Sequence, residues 1–226
     1  YIKDNPKLPR VLLIGDSVSR AYTQTVRKEL KNIANVHRAP ANCGPTSTGL
    51  KKIDLWLGKG HWDLIHFNFG IHDRKTAQKD YQKRLNTLVQ IMKKRSKQVV
   101  WANTTPIPDL PSKGQTSVSI IEKNKTAAAI MKKNNIETND LFNAIHPHLS
   151  KYQRDKDVHF HQPGNEFLGK KVAKFIKSQL NTFKLSARAS QVDSQAKEYK
   201  DIKFVFTDAK NKVRDLQHAI VNTSSP

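Results

Sequence analysis

The chain is 226 residues long, enough at roughly 150 residues per domain for one domain with room for an appendage. A 37% hydrophobic content and a mean hydropathy of −0.66 describe a polar but foldable chain, and no run approaches the roughly 20 apolar residues of a membrane helix. The 40 Lys and Arg outweigh 19 Asp and Glu to leave +21, and one cysteine, Cys43, excludes an intrachain disulfide and a cysteine-built zinc centre.

In chain order, Val11, Leu12, Leu13 and Ile14 form a short apolar run ending in Gly15-Asp16-Ser17, a buried strand entering a turn. Tyr22, Val26, Leu30 and Ile33 mark a helix over 20–33. Residues 35–38 read as a weak second strand and 64–69 as a third, closed by Gly70. A helix over 81–94 rests on Leu85, Leu88, Val89 and Met92, and a fourth strand over 99–103 runs into Pro106 and Pro108. A helix over 120–134, a short fifth strand opening at Ile136, and a helix over 165–180 after Pro163-Gly164 complete the body. Trp56, Trp62 and Trp101 read as core residues rather than sugar platforms.

Strands that are apolar throughout and alternate with helices require a sheet covered on both faces. The fold class is therefore α/β: a three-layer α/β/α sandwich around a central, mainly parallel five-stranded sheet of flavodoxin-like type. Ligands of such sheets bind beyond the carboxyl ends of the strands, and the chemistry-bearing residues follow strands here. The chain changes character near Thr182. Residues 1–182 form the domain; 183–226 form a basic extension with a helical stretch over 209–221, either packed back on the body or partly mobile. That extension holds 8 Lys and Arg and 5 Asp and Glu, leaving +18 to the body. The chain begins at Tyr1 rather than Met, so an upstream segment is expected, a signal peptide, a propeptide or a piece lost by truncation, and secretion or a periplasmic location is the expectation for the protein.

Ser17, at a strand-to-helix turn, would be exposed beside backbone N–H groups able to stabilise an oxyanion. It equally reads as a helix cap. A nucleophilic serine needs a base, and His159, in Asp155-Lys156-Asp157-Val158-His159-Phe160-His161, is a candidate.

Together these segments resemble the SGNH, or GDSL-like, hydrolases, a family of esterases, lipases and carbohydrate deacetylases, over residues 9–180. Four blocks carry the resemblance in order: Gly15-Asp16-Ser17-Val18-Ser19, Asn42-Cys43-Gly44, Gly70-Ile71-His72-Asp73, and Asp157-Val158-His159 before Pro163-Gly164. The resemblance implies Ser17 as nucleophile and His159 as base. It also implies an oxyanion hole made by the N–H groups of Ser17 and Gly44 and the side chain of His72. His72 stands where the usual third block has asparagine, and an imidazole N–H can also donate. Lys156 stands where the usual fourth block has aspartate, three residues before the histidine. Asp157 is then favoured as the orienting acid, with Asp155 as the alternate and a Ser–His dyad as the remaining option. His161 is a further candidate base or substrate contact. Asn68 and Asp73 are further alternates, and both Asp16 and Asp73 are expected to brace loops. The imidazoles of His159 and His161 with Asp157 are no metal site on this reading, and no cofactor is called for.

The implied chemistry is hydrolysis of a carboxylic ester through an acyl-enzyme. With a charge of +21, which attracts polyanions, it points to O-deacetylation of a polysaccharide, acidic ones included. No nucleic-acid motif accompanies the charge. The competing readings are a catalytically weak module that binds polyanions through its basic surface, and an O-acyltransferase.

Overall fold

The computed structural model describes residues 3–182 apart from 111, 113 and 114. The chain divides into two units, Tyr1–Ser178 and Gln179–Pro226. The expectations for 183–226 lie outside the described residues.

Five strands, β1 (Arg10–Ile14), β2 (Asn35–Arg38), β3 (Trp62–Phe67), β4 (Ser96–Ala102) and β5 (Glu137–Asn139), form one sheet in the order β2-β1-β3-β4-β5. Every pairing is parallel, more uniform than the mainly parallel sheet expected. The connecting helices are α1 (Ser17–Glu29), α2 (Thr46–Leu57), α3 (Gln78–Lys94), α4 (Ser117–Lys133), α5 (Leu141–Ile145), α6 (Leu149–Tyr152) and α7 over 162–182. The helix expected over 20–33 starts earlier and stops sooner, because Asn32 turns left-handed (φ 62°) before β2. Asn135 (φ 54°) makes the same turn before β5; asparagine tolerates this region at lower cost than most side chains. Helix α2 and the short α5 and α6 escape a periodicity reading. The first carries a polar opening, Thr46-Ser47-Thr48-Gly49, and the others are too short to show a period.

Strand alternation divides the core. Leu12, Ile14, Ile65, Phe67, Val99 and Trp101 face Ile53, Trp56, Leu85, Leu88, Met92, Ala127 and Met131 of α2, α3 and α4 in one buried cluster. The three tryptophans all belong to it. Helices α1 and α7 lie on the other side. They cross closely at Gly169, where a Cβ would meet Thr25 Cβ at 2.5 Å and the Tyr22 carbonyl at 3.0 Å. A parallel sheet places all five strand ends, and the turns that follow them, on one rim.

Candidate active site

Ser17 is the first residue of α1, and Asp16, not Ser17, is its cap: Asp16 Oδ1 accepts from the Val18 N–H at 2.9 Å. The capping role open to Ser17 is thus taken, and its hydroxyl is left for other partners. His159 Nε2 lies 2.8 Å from Ser17 Oγ across 142 residues of sequence. The other ring nitrogen, Nδ1, is 2.7 Å from Asp157 Oδ1. That carboxylate oxygen also accepts from the His159 backbone N–H at 3.3 Å. Partial burial pushes the Asp157 carboxyl up, but hydrogen bonds from His159 outweigh it and hold the group below the usual carboxylate range.

Asp157 reaches the ring from two residues away because Lys156 adopts a left-handed conformation (φ 49°). The turn is closed by Asp157 N–H donating to the Arg154 carbonyl at 3.3 Å and Arg154 N–H donating to that of His159 at 3.0 Å. Such a conformation costs a lysine about 1 kcal/mol or more, and here it turns Asp157 toward the ring. Asp155 and His161 are exposed. Neither side chain has a hydrogen bond among the described residues, so neither joins the Ser17–His159 pair. Among the described residues no three His, Cys, Asp or Glu side chains are grouped to hold a metal ion.

The other strand ends frame this relay. Gly44 follows β2 with φ 61°, a conformation glycine adopts without strain. The Cys43 N–H before it donates to the Gly15 carbonyl at 3.1 Å, fixing this turn against the one that carries Ser17. The Gly44 N–H, expected as an oxyanion donor, already has an acceptor, Asn42 Oδ1 at 3.1 Å. His72 is exposed on the turn Ile71–Asp73 that follows β3, and among the described residues no hydrogen bond holds its ring. Burial pushes the Asp16 carboxyl upward, against the pull of His72 and of the N–H groups of Val18 and Ser19.

Asn68 and Asp73 are scaffold rather than substrate contacts. Asn68 Nδ2 donates to the Ala102 carbonyl at 2.8 Å and to Thr104 Oγ1 at 3.1 Å. Asp73 is fully buried; it accepts from the Thr46 N–H at 2.8 Å and from Thr46 Oγ1 at 2.7 Å, tying the start of α2 to the His72 turn. Gly70 lets that turn pass, because a Cβ there would collide with Thr104 Oγ1. His66 accepts from Asn139 Nδ2 at 3.1 Å inside the sheet layer. A small cavity of about 10 Å³ lies behind the turn that carries Ser17, lined by Asp16, Ser19, Asn68, Ile71, Thr104 and Leu141 among others.

Two residues of the site were given no role by motif reading. Arg38, at the end of β2, donates from Nη2 to the carbonyls of Gly15 and Asp16 at 3.1 and 3.0 Å, and from Nη1 to those of Ala39 and Ala41. It braces the turn that carries Ser17. Asn42 is the other, through its hold on Gly44. Their common signal is position just past a parallel strand, which marks a region and not a role.

No known family and no curated protein matches this sequence. Solved structures do. An acetyl xylan esterase is similar at a TM-score of 0.66 and 16% identity, over 74% of this chain and 99% of the other. A lipase/acylhydrolase from Enterococcus faecalis is similar at 0.65 and 21%, over 76% and 96%. An acetylxylan esterase from Geobacillus stearothermophilus is similar at 0.61 and 14%, over 74% and 93%. The fold is that of the SGNH hydrolases.

Proposed function

We propose that this chain is an SGNH-type carboxylic-ester hydrolase that removes O-acetyl groups from a polysaccharide, acidic polysaccharides included. The observation that carries the reading is the unbroken relay Asp157–His159–Ser17, with contacts of 2.7 and 2.8 Å. Ser17 Oγ attacks the ester carbonyl carbon while His159 Nε2 takes its proton. Asp157 holds the opposite N–H and stabilises the imidazolium as it forms. The oxyanion of the tetrahedral intermediate accepts from the N–H of Ser17, the N–H of Gly44 and the imidazole of His72. Collapse breaks the carbon–oxygen bond to the alcohol, which leaves with the proton from His159. Water, deprotonated by the same imidazole, then releases the acid and regenerates Ser17.

The esterase names of the neighbouring folds support ester hydrolysis as the reaction class. The charge of +21 supports an anionic or anion-decorated substrate.

The test is turnover of p-nitrophenyl acetate, and acetate release from neutral and acidic acetylated polysaccharides, by the wild type and Ser17→Ala. The substitution abolishes both activities and leaves the circular dichroism spectrum unchanged; undiminished turnover by Ser17→Ala refutes the proposal. A second reading, a weakly catalytic polyanion-binding module, is favoured by the Asn42 acceptor already seated on Gly44. Salt-reversible polyanion binding without hydrolysis of any ester would select it.

A further inference from the structure

The structure brings together an aromatic group that no tryptophan search finds. The rings of His148, Tyr152 and Phe167 form a triangle: His148 to Tyr152 5.7 Å, His148 to Phe167 5.3 Å, Tyr152 to Phe167 5.5 Å between centroids. His148 is exposed and the other two rings are half-buried. Lys151 Nζ stands 5.4 Å from the Tyr152 ring centroid and Lys171 Nζ 5.4 Å from that of Phe167. Neither lysine has an ion pair among the described residues, and the nearby Lys170 and Lys174 are exposed as well. Glu166 is exposed beside them and accepts from Gln162 Nε2. The helix pair that builds this face is α6 and the start of α7, which bracket the loop of His159. The Tyr152 carbonyl accepts from the His161 N–H at 2.8 Å, and Gln153 bridges Phe160.

We propose that this face binds a strand of uronic-acid-containing polysaccharide beside the catalytic loop. Ring faces stack on the C–H faces of sugars, and tyrosine adds to its apolar ring a hydroxyl that can hydrogen-bond. The two ammonium groups read carboxylates at either side of the rings, and a salt-sensitive attraction follows. Aromatic rings with cations also suit single-stranded nucleic acid; the choice of a glycan rests on the esterase reading above.

The experiment compares two charge-matched double variants of the full chain, Lys151→Gln/Lys171→Gln on this face and Lys132→Gln/Lys133→Gln at the end of α4. The probes are sodium polygalacturonate and oligo(dT), followed by affinity electrophoresis at two salt concentrations, with p-nitrophenyl acetate turnover measured in parallel. The first double variant weakens polygalacturonate binding about tenfold, and the second changes it less than twofold. His148→Ala removes one exposed ring of the triangle and weakens binding severalfold. Equal losses from both double variants would overturn the proposal in favour of diffuse attraction. Tighter wild-type binding of oligo(dT) than of polygalacturonate would overturn the choice of partner. Site-specific glycan binding in a protein that turns over no ester would leave this face standing and remove the hydrolase reading.

Discussion

Replacing Asp157 by Asn tests the orienting acid without changing its size. Asp157 Oδ1 accepts from both the ring and the backbone N–H of His159. An asparagine keeping its carbonyl oxygen there satisfies both donors, so the tautomer with Nε2 facing Ser17 survives and only the negative charge is lost. A unit charge about 4 Å from the imidazolium contributes about 1 kcal/mol at the dielectric of water and about 4 kcal/mol at an effective dielectric of 20. The side chains of His159 and Asp157 are 38% and 37% exposed, so solvent screening discounts the upper figure. About 2 kcal/mol is the resulting expectation, or roughly a 30-fold fall in kcat/KM. A loss of ~10⁴-fold is what the wrong imidazole tautomer produces in a serine triad, so a fall of that size would show that the asparagine amide, and not its carbonyl oxygen, faces the ring. The assay is p-nitrophenyl acetate hydrolysis at pH 7 to 8, with Asp155→Asn as control, for which activity stays within twofold of wild type. A fall of less than twofold for Asp157→Asn, or an equal fall for Asp155→Asn, refutes the reasoning.

Three further outcomes follow from the same contacts. Asn42→Asp places a carboxylate on the Gly44 N–H, where a charge-assisted bond is about twice as strong and repels the oxyanion; kcat falls about tenfold or more with KM little changed, and an unaltered kcat removes Gly44 from the oxyanion hole. Gly70→Ala drives a methyl into Thr104 and lowers stability by about 2 kcal/mol in urea denaturation, and adding Thr104→Ala restores part of it; no recovery in that double variant contradicts the contact. Burial pulls the His66 pKa down to about 4, against about 6.5 in the unfolded chain. The unfolded chain therefore binds the extra proton first: His66 adds no penalty above about pH 6.5, and stability falls as pH drops from there toward 4, by up to about 3 kcal/mol. Denaturation midpoints at pH 7.5 and 4.5 show this slope, and His66→Gln flattens it; an unchanged slope in that variant assigns the acid sensitivity to other groups.

The fold was legible because its strongest signals are local. Val11 to Ile14 can only be a buried strand, and a buried strand entering Gly15-Asp16-Ser17 puts the serine at a strand end whatever surrounds it. Helices α3, α4 and α7 showed their apolar spacing for the same reason. The first turn of α2 did not, since Thr46 owes its burial to Asp73, 27 residues away.

In the site, strand-end position singled out Ser17, and the resemblance of four ordered blocks to the SGNH hydrolases implied Gly44, His72 and His159 beside it; parallel topology sends every strand end to one rim. What the order of residues left open is set by contacts made only after folding. Asp157 is favoured over Asp155 in the sequence, with a Ser–His dyad still open, and the choice is made only when Lys156 turns left-handed and Asp157 meets the ring. Gly44 reads as a free donor until Asn42 folds back on it, and Arg38 reads as a surface charge until four carbonyls gather around it. Local propensity is a property of neighbours in sequence. Hydrogen-bond partnership across tens of residues is a property of the packed chain, where a buried or crowded donor takes whichever acceptor the fold delivers.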